Sequence, residues 1–311
     1  MLKKNLIIVL FFSLLLNKLT AQSIKSDGSK YPANRILIAP ESVFKMFIEA
    51  GMEPSNHVLT ALEKEKVEQA FAILPPLYKK VLREHLQSIS FMDNMPNTAL
   101  TSPVETADST KQFNITFRAG ILNETISEWA TWKEKTIFNN PENSGFEILI
   151  DAGKLDAIQY VLLHEATHVV DAILNLAPHL DKKDSLVIPT AFTKDIWSKM
   201  NTPVAKFTNP LLEKTRFRSG KIQPISSASE IYSRLKKTPF PSLYGMASWH
   251  EDIAELLSIY HLTNKLNQPF VIYIREKDKV IATFEPMKNK LVKKRVKQLR
   301  FFYHTDKTTK V

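Results

Sequence analysis

The sequence predicts an α+β fold that is mostly helical and carries a small sheet. Three observations predict it. Glycine is scarce, 7 residues in 311, while Leu, Ala, Glu and Lys are common, a balance that favours helix over a turn-rich all-β chain. Apolar residues recur at helical spacing along several long stretches. Short segments elsewhere alternate apolar and polar residues, as half-buried strands do. Hydrophobic residues make up 44% of the chain and charged residues 24%, so a sizeable core can form and wholesale disorder is excluded. The length allows one large domain or two modest ones.

The first 21 residues read as a signal peptide rather than as part of the fold. Lys3 and Lys4 precede an apolar run over 6–16, which is too short to span a bilayer, and Ala21 offers a small residue for cleavage. Export, to a periplasm or the exterior, is the expectation. The chain has no cysteine, which rules out disulfides and thiolate ligands, so a zinc site would have to use histidine and carboxylate. The net charge of +10 suits solubility or anionic surfaces, and nothing resembles a nucleic-acid-binding module.

Residues 22–110 read as a helical N-terminal region. Residues 31–38 are extended, and 42–90 carry helical spacing that Pro75 and Pro76 break into two helices. Residues 99–110, rich in Ser, Thr, Asp and Pro, read as a loop or linker. Phe113, Ile115 and Phe117 alternate as a strand, and 146–150 form a second one. A long helix starts within 151–156 and runs to about Asn175, with Pro178 just beyond it. Residues 191–200 read as a helix, 201–224 as irregular and 248–264 as a helix, before a hairpin around Val271, Tyr273 and 280–284. Residues 287–303 read as a closing amphipathic helix. Lys288, Lys290, Lys293, Lys294, Arg295, Lys297 and Arg300 fall on a solvated face, and Leu291, Val292, Val296, Leu299 and Phe302 on a packed one. Weak contact of the basic face with anionic lipid or polysaccharide is the sharper reading of this helix.

Residues 164–168 read His-Glu-Ala-Thr-His. Positions i and i+4 share a helix face, so His164 and His168 can chelate one zinc ion while Glu165 accepts a proton from water beside it. Apolar Val161, Leu162 and Leu163 precede the motif and Val169 and Val170 follow it. A helix that apolar is a buried one with a reason to hold polar groups. Zinc of this type takes a third protein ligand and keeps one position open. Asp171 lies one turn beyond His168 and is expected to orient a ligand histidine from behind. Tyr160, one turn before His164, reads as core packing. Downstream, Glu251 and Glu255 stand four apart on one helical face. Ser248 and Glu251 also match a capping box, which leaves either glutamate open as the ligand. His250 and His261 read as ordinary surface or core histidines.

With the motif and the downstream run Tyr244, Gly245, Glu251, Ala254, Glu255 and His261, the sequence resembles the gluzincins. Within them it is most similar to the catalytic domain of anthrax lethal factor and its relatives. The resemblance covers about residues 146–264. It implies a zincin-like domain over 111–311 with a sheet bordering the cleft. It also implies Glu251 as third zinc ligand, Glu255 supporting the site from behind, and Tyr244 as a hydroxyl facing the metal. The strand 146–150 would then border the cleft and pair with extended substrate. The 83 positions from His168 to Glu251 must hold an insertion or lid. The expected activity is hydrolysis of a peptide or protein substrate by a zinc-activated water. Two alternatives stay open: a silent zincin-like binding protein, and a zinc hydrolase acting on a non-peptide amide.

Overall fold

A computed structural model of the chain describes residues 35–104, 110–142, 144–179, 188–217 and 220–304. The expected signal peptide lies outside them. The fold is mixed α/β. The helices are α1 (Glu41–Glu49), α2 (Ala61–Ala72), α3 (Pro76–His85), α4 (Ile126–Lys135), α5 (Ala157–Leu174), α6 (Pro210–Lys214), α7 (Ala228–Leu235), α8 (Trp249–Asn264) and α9 (Lys290–Arg295). One sheet holds β1 (Ser55–Asn56), β2 (Leu86–Asp93), β3 (Ala99–Val104) and β4 (Gln112–Arg118) in the order β1-β2-β4-β3. β5 (Phe138–Asn139) and β6 (Phe146–Asp151) follow, then the short pair β7 (Trp197–Lys199) and β8 (Thr202–Pro203). β9 (Gln223–Pro224) pairs with β5, and β10 (Val271–Glu276) and β11 (Lys279–Phe284) join β6 in the order β11-β10-β6.

Local chemistry places the N-terminal helices. Thr60 and Glu63 form a reciprocal capping box at the start of α2, and Pro76 opens α3 at a position where no backbone donor is needed. Val67, Phe71, Tyr78 and Leu82 enter the same core as Val161, Leu162 and Val169 of α5. The residues before and after position 110 therefore share one core.

Helix was expected as far as Ser90, but it stops at His85 and β2 follows. Leu86, Ile89 and Phe91 are buried, and Ser88 and Ser90 hydrogen-bond Asn114 and Thr116 of the parallel neighbour β4. Pairing on both sides decides the conformation there, and short-range spacing cannot see it. Within the expected loop, residues 99–104 form β3, antiparallel to β4. The Thr98 carbonyl accepts from Arg118 N–H, so by alternation Ala99, Thr101 and Pro103 turn their backbone groups away from β4. A proline is tolerated at such an edge, where its missing N–H costs no ladder bond. Among the described residues β3 ends the sheet.

α5 is buried along most of its circumference and ends with Asn175 in the left-handed conformation at φ 50°. Ser248 caps α8 by accepting from Glu251 N–H. The hairpin β10–β11 turns through Lys277 and Asp278, both at positive φ. Two expected helices differ. Residues 191–200 form turns and then β7, because Thr190 and Thr193 side chains engage the local backbone in place of a helical ladder. Over 287–303 the chain makes the short α9, capped by Asn289, and then 3-10 turns. Arg295 leaves the solvated face there. It is buried, donating to Asp252 Oδ1 at 2.7 Å and to Oδ2 at 2.8 Å, which ties α9 to α8.

His57 joins the capped start of α2 to the end of β2, with Nε2 3.2 Å from Glu63 and Nδ1 3.2 Å from Asp93. Burial alone would lower its pKa, but the two carboxylates outweigh burial and raise it. The stabilisation is therefore full below the ordinary value of about 6.5 and fades as pH rises through the folded-state value. His57→Gln should destabilise the chain by up to about 1 kcal/mol at pH 6 and by less at pH 9. Thermal unfolding at both values checks this; an equal loss at both would exclude the charged pairing.

Candidate metal centre

One turn of α5 separates His164 from His168, and their rings stand edge to face with centroids 5.0 Å apart. The first turn of α8 brings Glu251 to them. Its Oε2 lies 3.0 Å from His164 Nε2 and 3.6 Å from His168 Nε2. One ligand atom from each of the three falls within 4.8 Å of the others. Atoms bound tetrahedrally to zinc at about 2.0–2.2 Å stand about 3.3–3.6 Å from one another, so the spacing and the N, N, O donor set fit zinc. His164 is buried, while His168 and Glu251 keep partial exposure through which an ion can enter.

The charges fit a cation as well. Burial pulls the His164 pKa down, but Glu251 and Glu255 outweigh it and carry it to about 9. Burial is also outweighed at His168, whose pKa the Glu251 carboxylate raises. Glu251 itself is held well below the carboxylate range by the two histidines, against its burial. Glu251 thus draws positive charge to the space between the two Nε2 atoms, and Glu255 draws it to the other edge of His164.

Glu255 lies on the far side of His164, with Oε1 3.2 Å from Nδ1. Tyr160 donates to Oε1 at 3.2 Å, Ser242 donates to Oε2 at 2.7 Å, and Lys133 Nζ stands 3.5 Å away. Burial opposes ionisation of Glu255, but Lys133, His164 and Ser242 together hold its pKa near 2. This carboxylate is engaged from four sides and supports His164 from behind, whereas Glu251 faces both Nε2 atoms. Of the capping box at Ser248, the hydroxyl arm is present, while the Glu251 carboxylate turns to the histidines. Tyr160, read from sequence as core packing, is buried between Trp129 and Phe270 and also supports Glu255.

Glu165 is engaged from the first sheet. Thr101 of β3 donates to its Oε2 at 2.7 Å. A cavity of about 240 Å³ opens against His164 and Glu165, walled by Trp129, Trp132, Phe217 and Tyr244. The Tyr244 ring stacks on the His164 imidazole at 5.6 Å, and Lys133 Nζ sits 3.9 Å from its centroid. Phe217, from the segment between the two motifs, packs on Tyr244 at 4.9 Å. The strand beside the cavity is not β6, the expected 146–150. Its wall comes from 96–99, at the entry to β3, because α4 covers β6, with Thr131 bonding the Ile150 backbone, and presents Trp129, Trp132 and Lys133 to the cavity instead.

Asp171 is not placed against a ligand histidine. Its Oδ2 lies 2.5 Å from His250 Nδ1, and its Oδ1 accepts from Ala177 N–H at 2.7 Å and lies 3.5 Å from His179 Nε2. These groups outweigh burial and hold the Asp171 pKa near 2. The turn after Asn175 folds back over the end of α5 and claims the carboxylate. His261 is buried with Nδ1 2.9 Å from the Tyr303 hydroxyl, and burial lowers its pKa to about 4.

Lys133, Ser242, Thr101 and Phe217 were not singled out from sequence. Thr101, Lys133 and Phe217 lie far along the chain from both motifs, Ser242 stands two residues before Tyr244, and a lone Lys, Ser or Thr carries no spacing signal. No protein-family model matches the chain, and comparison with curated proteins and with solved structures gave no match.

The two glutamates should separate in a zinc titration. Glu251→Ala should weaken binding well beyond the loss of about 10–100-fold typical of a group behind a ligand. Glu255→Ala should stay within that range but lower the melting temperature, since it removes the carboxylate partner of a partly buried Lys133 and of the Tyr160 and Ser242 hydroxyls, a loss of about 1–3 kcal/mol. The opposite ranking in affinity would transfer the ligand role to Glu255.

Proposed function

We propose that this chain is an exported zinc metallopeptidase with a zincin-like catalytic domain. One observation carries the reading: His164, His168 and Glu251 converge at metal-ligand spacing, and the first of them lines an open cavity together with Glu165. The signal-like first 21 residues support export. A bound zinc would polarise a carbonyl and lower the pKa of water toward neutrality.

The chain's own groups do the rest. Thr101 fixes one oxygen of Glu165 and leaves Oε1 to take a proton from the attacking water. Glu165 then returns that proton to the departing amine. Tyr244, held by His164, Phe217 and Lys133, supplies a hydroxyl to the oxyanion that develops at the scissile carbonyl. The outward N–H and C=O groups of Ala99 and Thr101 offer extended substrate a strand to pair with, next to the general base. A short side-chain reach from β3 to Glu165 thus couples substrate seating to the proton-transfer group.

Glu165→Gln should retain zinc and lose about 10²–10⁴ in rate, because the amide keeps the shape but cannot take a proton. A peptide-library digest beside zinc analysis of the same preparation tests this. Zinc without cleavage in the unmutated chain would favour a silent binding protein or an amidase for non-peptide substrates. Near-native turnover in the variant would remove Glu165 from the mechanism.

A further inference from the structure

Beyond the ligands, a second cluster joins the two helices that carry them. Asp171 lies one turn after His168 on α5, and His250 immediately precedes Glu251 on α8. Trp249 Nε1 donates to His250 Nε2 at 2.9 Å. An indole nitrogen can only donate, so Nε2 accepts and the ring proton resides on Nδ1. That Nδ1–H is directed at Asp171 Oδ2, 2.5 Å away. Trp249 and Asp171 are both buried, 1% and 2% exposed, so the chain of bonds has a single arrangement. Asp171, His179 and His250 also have ligand atoms within 4.8 Å of one another. The fixed proton on Nδ1 takes the His250 lone pair out of use and argues against a second ion there.

We infer that Asp171, His250 and Trp249 form a hydrogen-bonded clamp that fixes Glu251 against His164 and His168. They are positioning residues; none touches the metal ligands' own donor atoms. The clamp joins the last turns of α5 to the first turn of α8, so it sets the register of one ligand-bearing helix on the other. Its effect on metal affinity rests on the zinc reading above, but its hold on the first turn of α8 does not. Ligands held in place before the ion arrives bind more tightly than ligands that must be ordered, and removing a supporting partner costs about 10–100-fold in affinity.

The test uses the full mature chain and three variants. His250→Leu removes the donor to Asp171. His250→Asn keeps one, because its amide nitrogen lies where Nδ1 does. Ile231→Val is a core change on α7, away from both helices, that controls for general loss of stability. Amide hydrogen exchange over 249–252 is read without metal, and zinc affinity by competition titration. His250→Leu should speed exchange in that turn and weaken zinc by about 10–100-fold. His250→Asn should restore most of both, and Ile231→Val should change neither. Asp171→Asn gives the same readouts should the leucine variant fail to fold. Unchanged exchange, or no difference between Leu and Asn, overturns the clamp. A second zinc per chain that His250→Leu abolishes would make the trio a metal site instead. An unmutated chain that takes up no zinc, with the exchange results as expected, would leave the clamp standing and overturn the metallopeptidase reading.

Discussion

His164, Glu165, Thr167 and Asp171 are polar side chains buried on a largely apolar helix, and each finds a partner on another element. Tyr78 of α3 meets Thr167 at 2.9 Å, and Thr101 of β3 meets Glu165. Glu251 and Glu255 of α8 meet His164 from its two sides, and His250 meets Asp171. An unpaired group at any of these positions would cost about 1–3 kcal/mol, more if charged. Satisfying α5 therefore fixes the placement of α3, β3 and α8 around it. The apolar contacts of the core supply the driving force, but they leave helix rotation and register loosely set. The polar pairs remove that freedom.

The same logic extends to the back of the site. Glu255 is the most heavily engaged carboxylate of the centre, and Lys133 is its cation. Lys133 also lies over the rings of Tyr244, Trp129 and Phe217. Charge balance behind His164 and the aromatic wall of the cavity thus depend on one side chain from α4. Farther along α8, Asp252 is buried, with Arg295 and the Trp197 indole both donating to it, so the basic C-terminal segment anchors the helix that supplies Glu251.

Much of the frame was legible from residue order because it is local. The motif's i, i+4 spacing, Asn175 before Pro178 and Ser248 as a cap placed α8 and the end of α5 within a residue, while α5 starts at Ala157, just after the expected 151–156. Strand β6 and the hairpin that follows α8 were legible for the same reason. The misreadings share a different cause. β2 looks helical in isolation, β3 looks like a linker, and Arg295 looks solvated; each takes its state from a partner distant in sequence. Asp171 shows the limit most clearly. Spacing put it one turn beyond His168, but only the packing of α8 reveals that it serves His250, and through it Glu251. No sequence pattern marks Thr101 or Lys133, since a single donor has no period.

Zinc-edge X-ray absorption on the purified chain reads the ligand set at His164, His168 and Glu251 without requiring a substrate. About one zinc per chain is expected, bound by two imidazole nitrogens and carboxylate oxygen at about 2.0–2.2 Å. A chain that retains no zinc, or a spectrum unaltered by His164→Ala, would contradict it.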